Sequence, residues 1–155
     1  MSSLIELKYQ QGRRSLLDKK LGHKQRQENQ KIKNLENLLQ ELAKSLAELE
    51  SDNDKIKIIM QRLLEQGDLM SYQTMSHYLD ENCNEITNKL LEKAELEATL
   101  KQSRSYFYQL KMFENKNKEK MTLIRKKYVD KESVKKLDDV NSVLLKHKES
   151  HCDYS

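Results

Sequence analysis

Ten residues between Ile32 and Leu63 follow one another in steps that alternate three and four without a break: Ile32, Leu35, Leu39, Leu42, Leu46, Leu49, Asn53, Ile56, Met60 and Leu63. A repeat of 3.5 residues keeps one stripe of a helix turned toward a partner helix, so this is the seam of a coiled coil. All but Asn53 are apolar. A single polar residue in such a seam fixes register more often than it does chemistry. The first question about the chain is therefore what this stripe packs against.

Nothing in the composition opposes long helices. The 155 residues contain no Pro and only three Gly (Gly12, Gly22, Gly67), so the strongest helix breaker is missing. Charged residues make up 35% and aromatics 6%, the balance of a coiled coil rather than of a thick globular core. The length suits one domain. No apolar run is long enough to cross a bilayer. Leu4, Ile5 and Leu7 are followed quickly by charge, so no signal-peptide core is expected and the chain reads as cytoplasmic. Two cysteines, Cys83 and Cys152, fit reduced thiols better than a disulfide framework.

Residues 3–30 read as a loosely patterned helix with a weak stripe at Leu4, Leu7, Leu17 and Leu21, capped at its start by Ser2 or Ser3. Gly67 interrupts the pattern after Leu63, where it can take the left-handed conformation that ends a helix, and Asp68 or Ser71 can cap the next one. A second helix is expected from about Ser71 to about Tyr128, since a short turn between long helices makes them antiparallel neighbours. Its stripe runs Met75, Leu79, Cys83, Ile86, Leu90, then resumes as Leu96, Leu100, Ser103, Phe107, Leu110, Glu114, Asn117, Met121, Ile124 and Tyr128, with polar residues in its later half. A phase slip between Leu90 and Leu100 is expected to change the supercoil locally. The fold class is thus all-α: a long antiparallel two-helix coiled-coil hairpin over 1–128, with helix 1 at about 3–65, a turn at about 66–71 and helix 2 at about 71–128. Residues 129–155 read as a polar tail, helical or disordered, in which Val134, Leu137, Val140 and Leu144 form a short amphipathic pattern.

Charge is unevenly spread. Residues 1–30 carry seven Lys/Arg against three Asp/Glu, and residues 101–128 carry nine against two. Residues 31–100 carry eight against fourteen. A hairpin brings the two basic segments together at its open end and leaves the acidic half at the turn. Sixty residues of helix at 1.5 Å each predict a rod of about 90 Å, bipolar in charge.

Chemistry finds little foothold. Three isolated glycines make no phosphate loop, and no strand pattern exists to hold a nucleotide fold, so the chain is not expected to be an enzyme. His147, His151 and Cys152 are close in sequence, yet a tetrahedral metal site needs four ligands, and exposed tail residues are the better reading. Cys83 reads as a small seam hydrophobe. The aromatic group Tyr106-Phe107-Tyr108 with Phe113 lies among Arg104, Lys111 and Lys116, with Phe107 on the seam; packing and docking both remain open for its neighbours. Tyr72 and Tyr78 near the turn pose the same choice, with packing favoured. The basic residues Arg13, Arg14, Lys19, Lys20, Lys24 and Arg26 precede leucines spaced by seven, which superficially suits a basic-leucine-zipper DNA reader or a homodimeric scaffold. Gly12 and Gly22 interrupt that basic arm, no Asn-to-Arg base-reading pattern is present, and the second long helix is left unexplained, so nucleic acid ranks below protein as a partner.

The opening, Met1-Ser2-Ser3-Leu4-Ile5-Glu6-Leu7-Lys8-Tyr9-Gln10-Gln11-Gly12-Arg13-Arg14, resembles that of the type III secretion stalk proteins, the InvI/YscO family related to flagellar FliJ. The polar turn from Gly67 to Ser71 and the Lys-rich aromatic end of the second helix are also similar, so the resemblance spans residues 1–128. It implies a monomeric central stalk on the cytoplasmic face of the secretion apparatus. Its open end would enter a hexameric export ATPase, its turn would face an export gate protein, and secretion chaperones would be further partners, with no cofactor and no insertion into the membrane. The residues it points to are Leu4, Leu7, Arg13, Arg14, Lys116, Lys118, Lys120 and Ile124 for the ATPase, and Tyr72 and Tyr78 for the gate or chaperones. A positive end is suited to a ring with an acidic lumen, where complementary charge steers docking.

Overall fold

The computed structural model describes the backbone of residues 3–152 and the side chains of residues 3–148. Its elements are α1 (Leu4–Gln66) and α2 (Leu69–Cys152), and no strand occurs among the described residues. The fold is an all-α, antiparallel two-helix hairpin. Of the two caps the sequence offered for α1, Ser3 is the one described: the Glu6 amide donates to Ser3 Oγ at 3.1 Å, and the Ser3 amide donates back to Glu6 Oε2 at 3.0 Å. This reciprocal pair satisfies amide donors that a helix start otherwise leaves open. Ser2 lies outside the described residues.

The turn between the helices is shorter than the sequence implied. Gly67 adopts φ 73°, a left-handed conformation that costs a residue with a Cβ but not glycine. The Gly67 amide donates to the Leu64 carbonyl at 3.1 Å and the Asp68 amide to the Leu63 carbonyl at 3.0 Å, which closes the last turn of α1. Asp68 then begins α2, its Oδ1 accepting from the Ser71 amide at 3.1 Å. Hydrogen bonding by the Ser71 side chain, and next by its amide, holds the Asp68 carboxyl below the usual aspartate range. The cap is therefore Asp68, not Ser71, and only Gly67 and Asp68 separate the helices.

The chain divides into two units, one formed by Met1–Arg26 with Tyr108–Ser155, the other by Gln27–Phe107. In the second unit every member of the Ile32–Leu63 seam is buried or half-buried. Ile32, Leu35 and Leu100 form its central cluster, with Leu39, Leu96 and Phe107 packed against it. Each fully buried leucine contributes about 1.5–3 kcal/mol relative to its exposed state. The expected phase slip in α2 does not occur. Tyr72, Met75, Leu79, Asn82, Ile86, Lys89, Lys93, Leu96 and Leu100 keep the alternation of three and four, and all are at least half-buried. Cys83 and Leu90, read as seam residues, are exposed instead. Lysine makes this possible because its aliphatic stem covers apolar surface while the ammonium reaches a polar partner. Lys89 Nζ donates to Ser45 Oγ on α1 at 2.6 Å. Asn53 is buried, its amide 3.8 Å from Cys83 Sγ, and Arg104 pairs with Glu36 at 3.0 Å.

In the first unit the seam is continuous but polar. On α1 it passes through Leu4, Leu7, Gln11, Arg14, Asp18, Leu21 and Gln25, all at least half-buried. Leu17, expected in the stripe, is exposed; Asp18 takes its place. On α2 the seam runs Leu110, Glu114, Asn117, Met121, Ile124, Tyr128 and Lys131. Leu7 is only 1% exposed, the most deeply buried side chain described. α2 does not end near Tyr128. Neither Pro nor Gly follows Gly67, so nothing stops it, and the segment read as a separate tail continues the same helix to Cys152.

Candidate functional site

The first unit carries a cleft of about 670 Å³ lined from both helices: Gln10, Arg13, Arg14, Leu16, Leu17 and Lys20 from α1, and Lys120, Leu123, Ile124 and Lys127 from α2. Five of the ten lining residues are cations and none is a carboxylate. Between the cations lies an apolar floor in which Leu16, Leu17 and Leu123 are exposed. Arg13 is held over the Tyr9 ring, its guanidinium carbon 5.9 Å from the ring centre, an attraction between a cation and a π face. The unit as a whole carries nineteen Lys/Arg against ten Asp/Glu.

Four of the eight residues singled out for an ATPase contact meet in this cleft: Arg13, Arg14, Lys120 and Ile124. The others lie elsewhere. Leu7 is core, and Leu4 is half-buried on the same seam, so neither offers a free docking face. Lys116 is exposed outside the cleft. Lys118 is engaged by Glu114 one turn before it, Nζ to Oε1 at 2.6 Å. Hydrogen bonding by Lys118 is the main cause that holds the Glu114 carboxyl below the usual glutamate range, opposed by partial burial and helped by Gln25. The same hydrogen bond raises the Lys118 ammonium above the ordinary lysine range.

Behind the cleft the seam is wired by polar groups. Gln25 Nε2 donates to Glu114 and, at 3.5 Å, to the Leu110 carbonyl. Asn117 Nδ2 donates to the Arg14 carbonyl at 2.9 Å. Asp18 Oδ1 and Asn117 Oδ1 are buried with no hydrogen-bond partner among the described residues. Gln10, Leu16, Leu17, Lys20, Leu123 and Lys127 were missed as site residues. The signal was there: Gln10, Arg13, Leu17, Lys20, Lys120, Leu123 and Lys127 each stand one residue before a seam position, so they share one flank of the hairpin.

In the second unit Tyr72 is half-buried on the seam, while Tyr78 is exposed. Phe107 packs on the core cluster, and Tyr106 borders a small recess with Glu28, Lys31 and Ser103. In the first unit Tyr108 and Phe113 are exposed. Among the described residues no group of three His, Cys, Asp or Glu side chains could hold a metal. The side chains of His151 and Cys152, two of the three tail residues considered for one, lie outside the described residues. No helix among the described residues is long and apolar enough to cross a membrane. No protein-family model, curated protein or solved structure matches the chain.

Proposed function

We propose that the protein is a non-enzymatic stalk of a type III secretion ATPase complex, acting at the cytoplasmic face of the apparatus. The basic cleft of the first unit contacts the hexameric export ATPase, and the turn with Tyr72 and Tyr78 contacts the export gate or secretion chaperones. The observation that carries this reading is the cleft itself, in which Arg13, Arg14, Lys20, Lys120 and Lys127 surround apolar side chains with no carboxylate in the lining. Clustered charge of one sign around an apolar patch both steers encounter and offers area to bury. The opening residues, similar to those of the stalk family, support the same assignment. The burial of Leu35 in a cluster with Leu100 of the same chain weighs against a zipper dimer, which would need that leucine face for a second copy.

The test is capture of the hexameric export ATPase, together with ATP turnover and hexamer formation, by the protein and by the combined variant Arg13→Glu, Arg14→Glu, Lys120→Glu. Loss of capture and of the effect on turnover is expected. Capture that survives charge reversal overturns the assignment of the cleft.

A further inference from the structure

Beyond Tyr128 the hairpin seam changes character. Its positions continue as Lys131, Lys135, Asp138, Ser142 and Leu145, mostly polar. Val134, Leu137 and Leu144 each stand one residue before a seam position, as Leu123 stands before Ile124, while Val129, Val140, Val143 and Leu145 lie on other rows. One residue is a turn of about 100° around the helix axis, so this row looks away from the seam. The row holds the alternation of three and four from Lys120 through Leu123, Lys127, Asp130, Val134, Leu137 and Asn141 to Leu144. Its apolar members are more than half exposed: Leu123 58%, Val134 57%, Leu137 61%, Leu144 55%. On α1 the matching row, one residue before its own seam, supplies Arg13, Leu17 and Lys20 to the same cleft.

Two helices that turn such rows toward a common cleft present the groove of a three-helix bundle with one helix missing. We propose that this groove takes a single amphipathic helix from a protein partner, one whose apolar stripe repeats every three and four residues and is flanked by Asp and Glu. The stripe answers Leu16, Leu17 and Leu123; the flanking carboxylates answer Arg13, Lys20, Lys120 and Lys127. Charge complementarity selects the acidic partner, because every charged residue lining the cleft is cationic. The exposed leucines select a peptide over a phosphate backbone, which would leave them uncovered. The inference rests on the stalk reading only in taking this cleft as a contact surface.

The test uses the full-length protein and two designed helical peptides of about three heptads, with Leu at the seam positions and either Glu or Lys at the flanking ones. Fluorescence anisotropy is expected to show binding of the Glu-flanked peptide that weakens with salt, and binding of the Lys-flanked peptide weaker by about tenfold or more. Leu16→Glu and Leu123→Glu are each expected to weaken the Glu-flanked peptide by about tenfold while helicity by circular dichroism stays unchanged, since both leucines are exposed. Equal binding of the two peptides, no binding of the acidic one, or indifference to both substitutions overturns the proposal. Duplex DNA or phosphatidylserine vesicles bound equally by the protein and by Leu123→Glu would assign the cations to phosphate and overturn it too. So would a homodimer in sedimentation that Leu123→Glu dissociates, since the cleft would then belong to a second copy. Peptide binding without ATPase capture removes the stalk reading and keeps the groove; ATPase capture indifferent to Leu16→Glu and Leu123→Glu does the reverse.

Discussion

Asn117 on α2 reaches across the helix interface and donates its side-chain amide to the backbone carbonyl of Arg14 on α1, 2.9 Å away, at a position only 3% exposed. A buried polar group in a coiled-coil seam ties two specific levels together at a cost in stability. Here the cost is visible, because Asn117 Oδ1 has no partner among the described residues.

Asn117→Leu is therefore expected to raise the midpoint of urea unfolding followed by circular dichroism, since it removes a buried unsatisfied acceptor and the Arg14 carbonyl stays within its own helix. Asn117→Asp is expected to lose about 1–3 kcal/mol, because it buries a carboxyl and deletes the donor. Equal effects of the two substitutions would show that Asn117 does not bridge the helices.

Leu7 and Leu123 make a matched pair, both leucines of one unit and opposite in burial. Leu7→Ala is expected to cost about 2–4 kcal/mol as a core truncation, and Leu123→Ala to stay within about 0.5 kcal/mol. Chemical denaturation of both variants checks this, and comparable losses would place Leu7 outside the core.

The three glycines should respond with opposite signs. Gly67 has φ 73°, so Gly67→Ala is expected to destabilise by about 1–2 kcal/mol. Gly12 and Gly22 lie inside α1, and an added methyl group meets nothing closer than 3.7 Å. Gly12→Ala and Gly22→Ala are each expected to stabilise by about 0.5–1 kcal/mol. Thermal melts of the single variants read the sign directly.

The Glu114–Lys118 pair predicts two limbs of pH dependence. Glu114 has a depressed carboxyl, so its contribution is present above the usual glutamate range and lost as pH falls through its folded value. Lys118 is raised, so its contribution is present below the ordinary lysine value and lost as pH rises through its higher folded one. Both effects are small, because Lys118 is largely solvated. Glu114→Gln is expected to flatten the acid limb between about pH 5 and pH 3 in urea midpoints. An unchanged slope would assign the acid limb to other carboxylates, Asp68 among them.

Where the seam is apolar, sequence alone placed it residue by residue: all ten positions from Ile32 to Leu63 are covered. Where polar residues carry it, the outcome is divided: Ser103, Glu114 and Asn117 are covered at the positions the alternation gave them, whereas other polar positions were passed over. Lys89 and Lys93 hold the phase of α2 with their methylene stems, and scoring by residue type moved the stripe to Cys83 and Leu90. Asp18 replaced Leu17 for the same reason, and the displaced Leu17 became part of the cleft. Four of the eight expected contact residues, Arg13, Arg14, Lys120 and Ile124, share the cleft because the hairpin sets the early part of α1 beside the later part of α2. The groove itself was not legible, since it depends on which flank each helix turns outward, and that follows only once the seam is fixed at every level.

The two-residue link of Gly67 and Asp68 also governs how a chain of this kind can change length. It has no slack to absorb a shift of one helix against the other. A single inserted residue in α1 would turn everything before it by about 100° and strip its leucines of their partners. Growth or shortening of the paired part without loss of register must come as blocks of about seven residues added to, or taken from, both helices at matching heights. Over that paired part, relatives of this protein should thus differ by whole heptads, doubled.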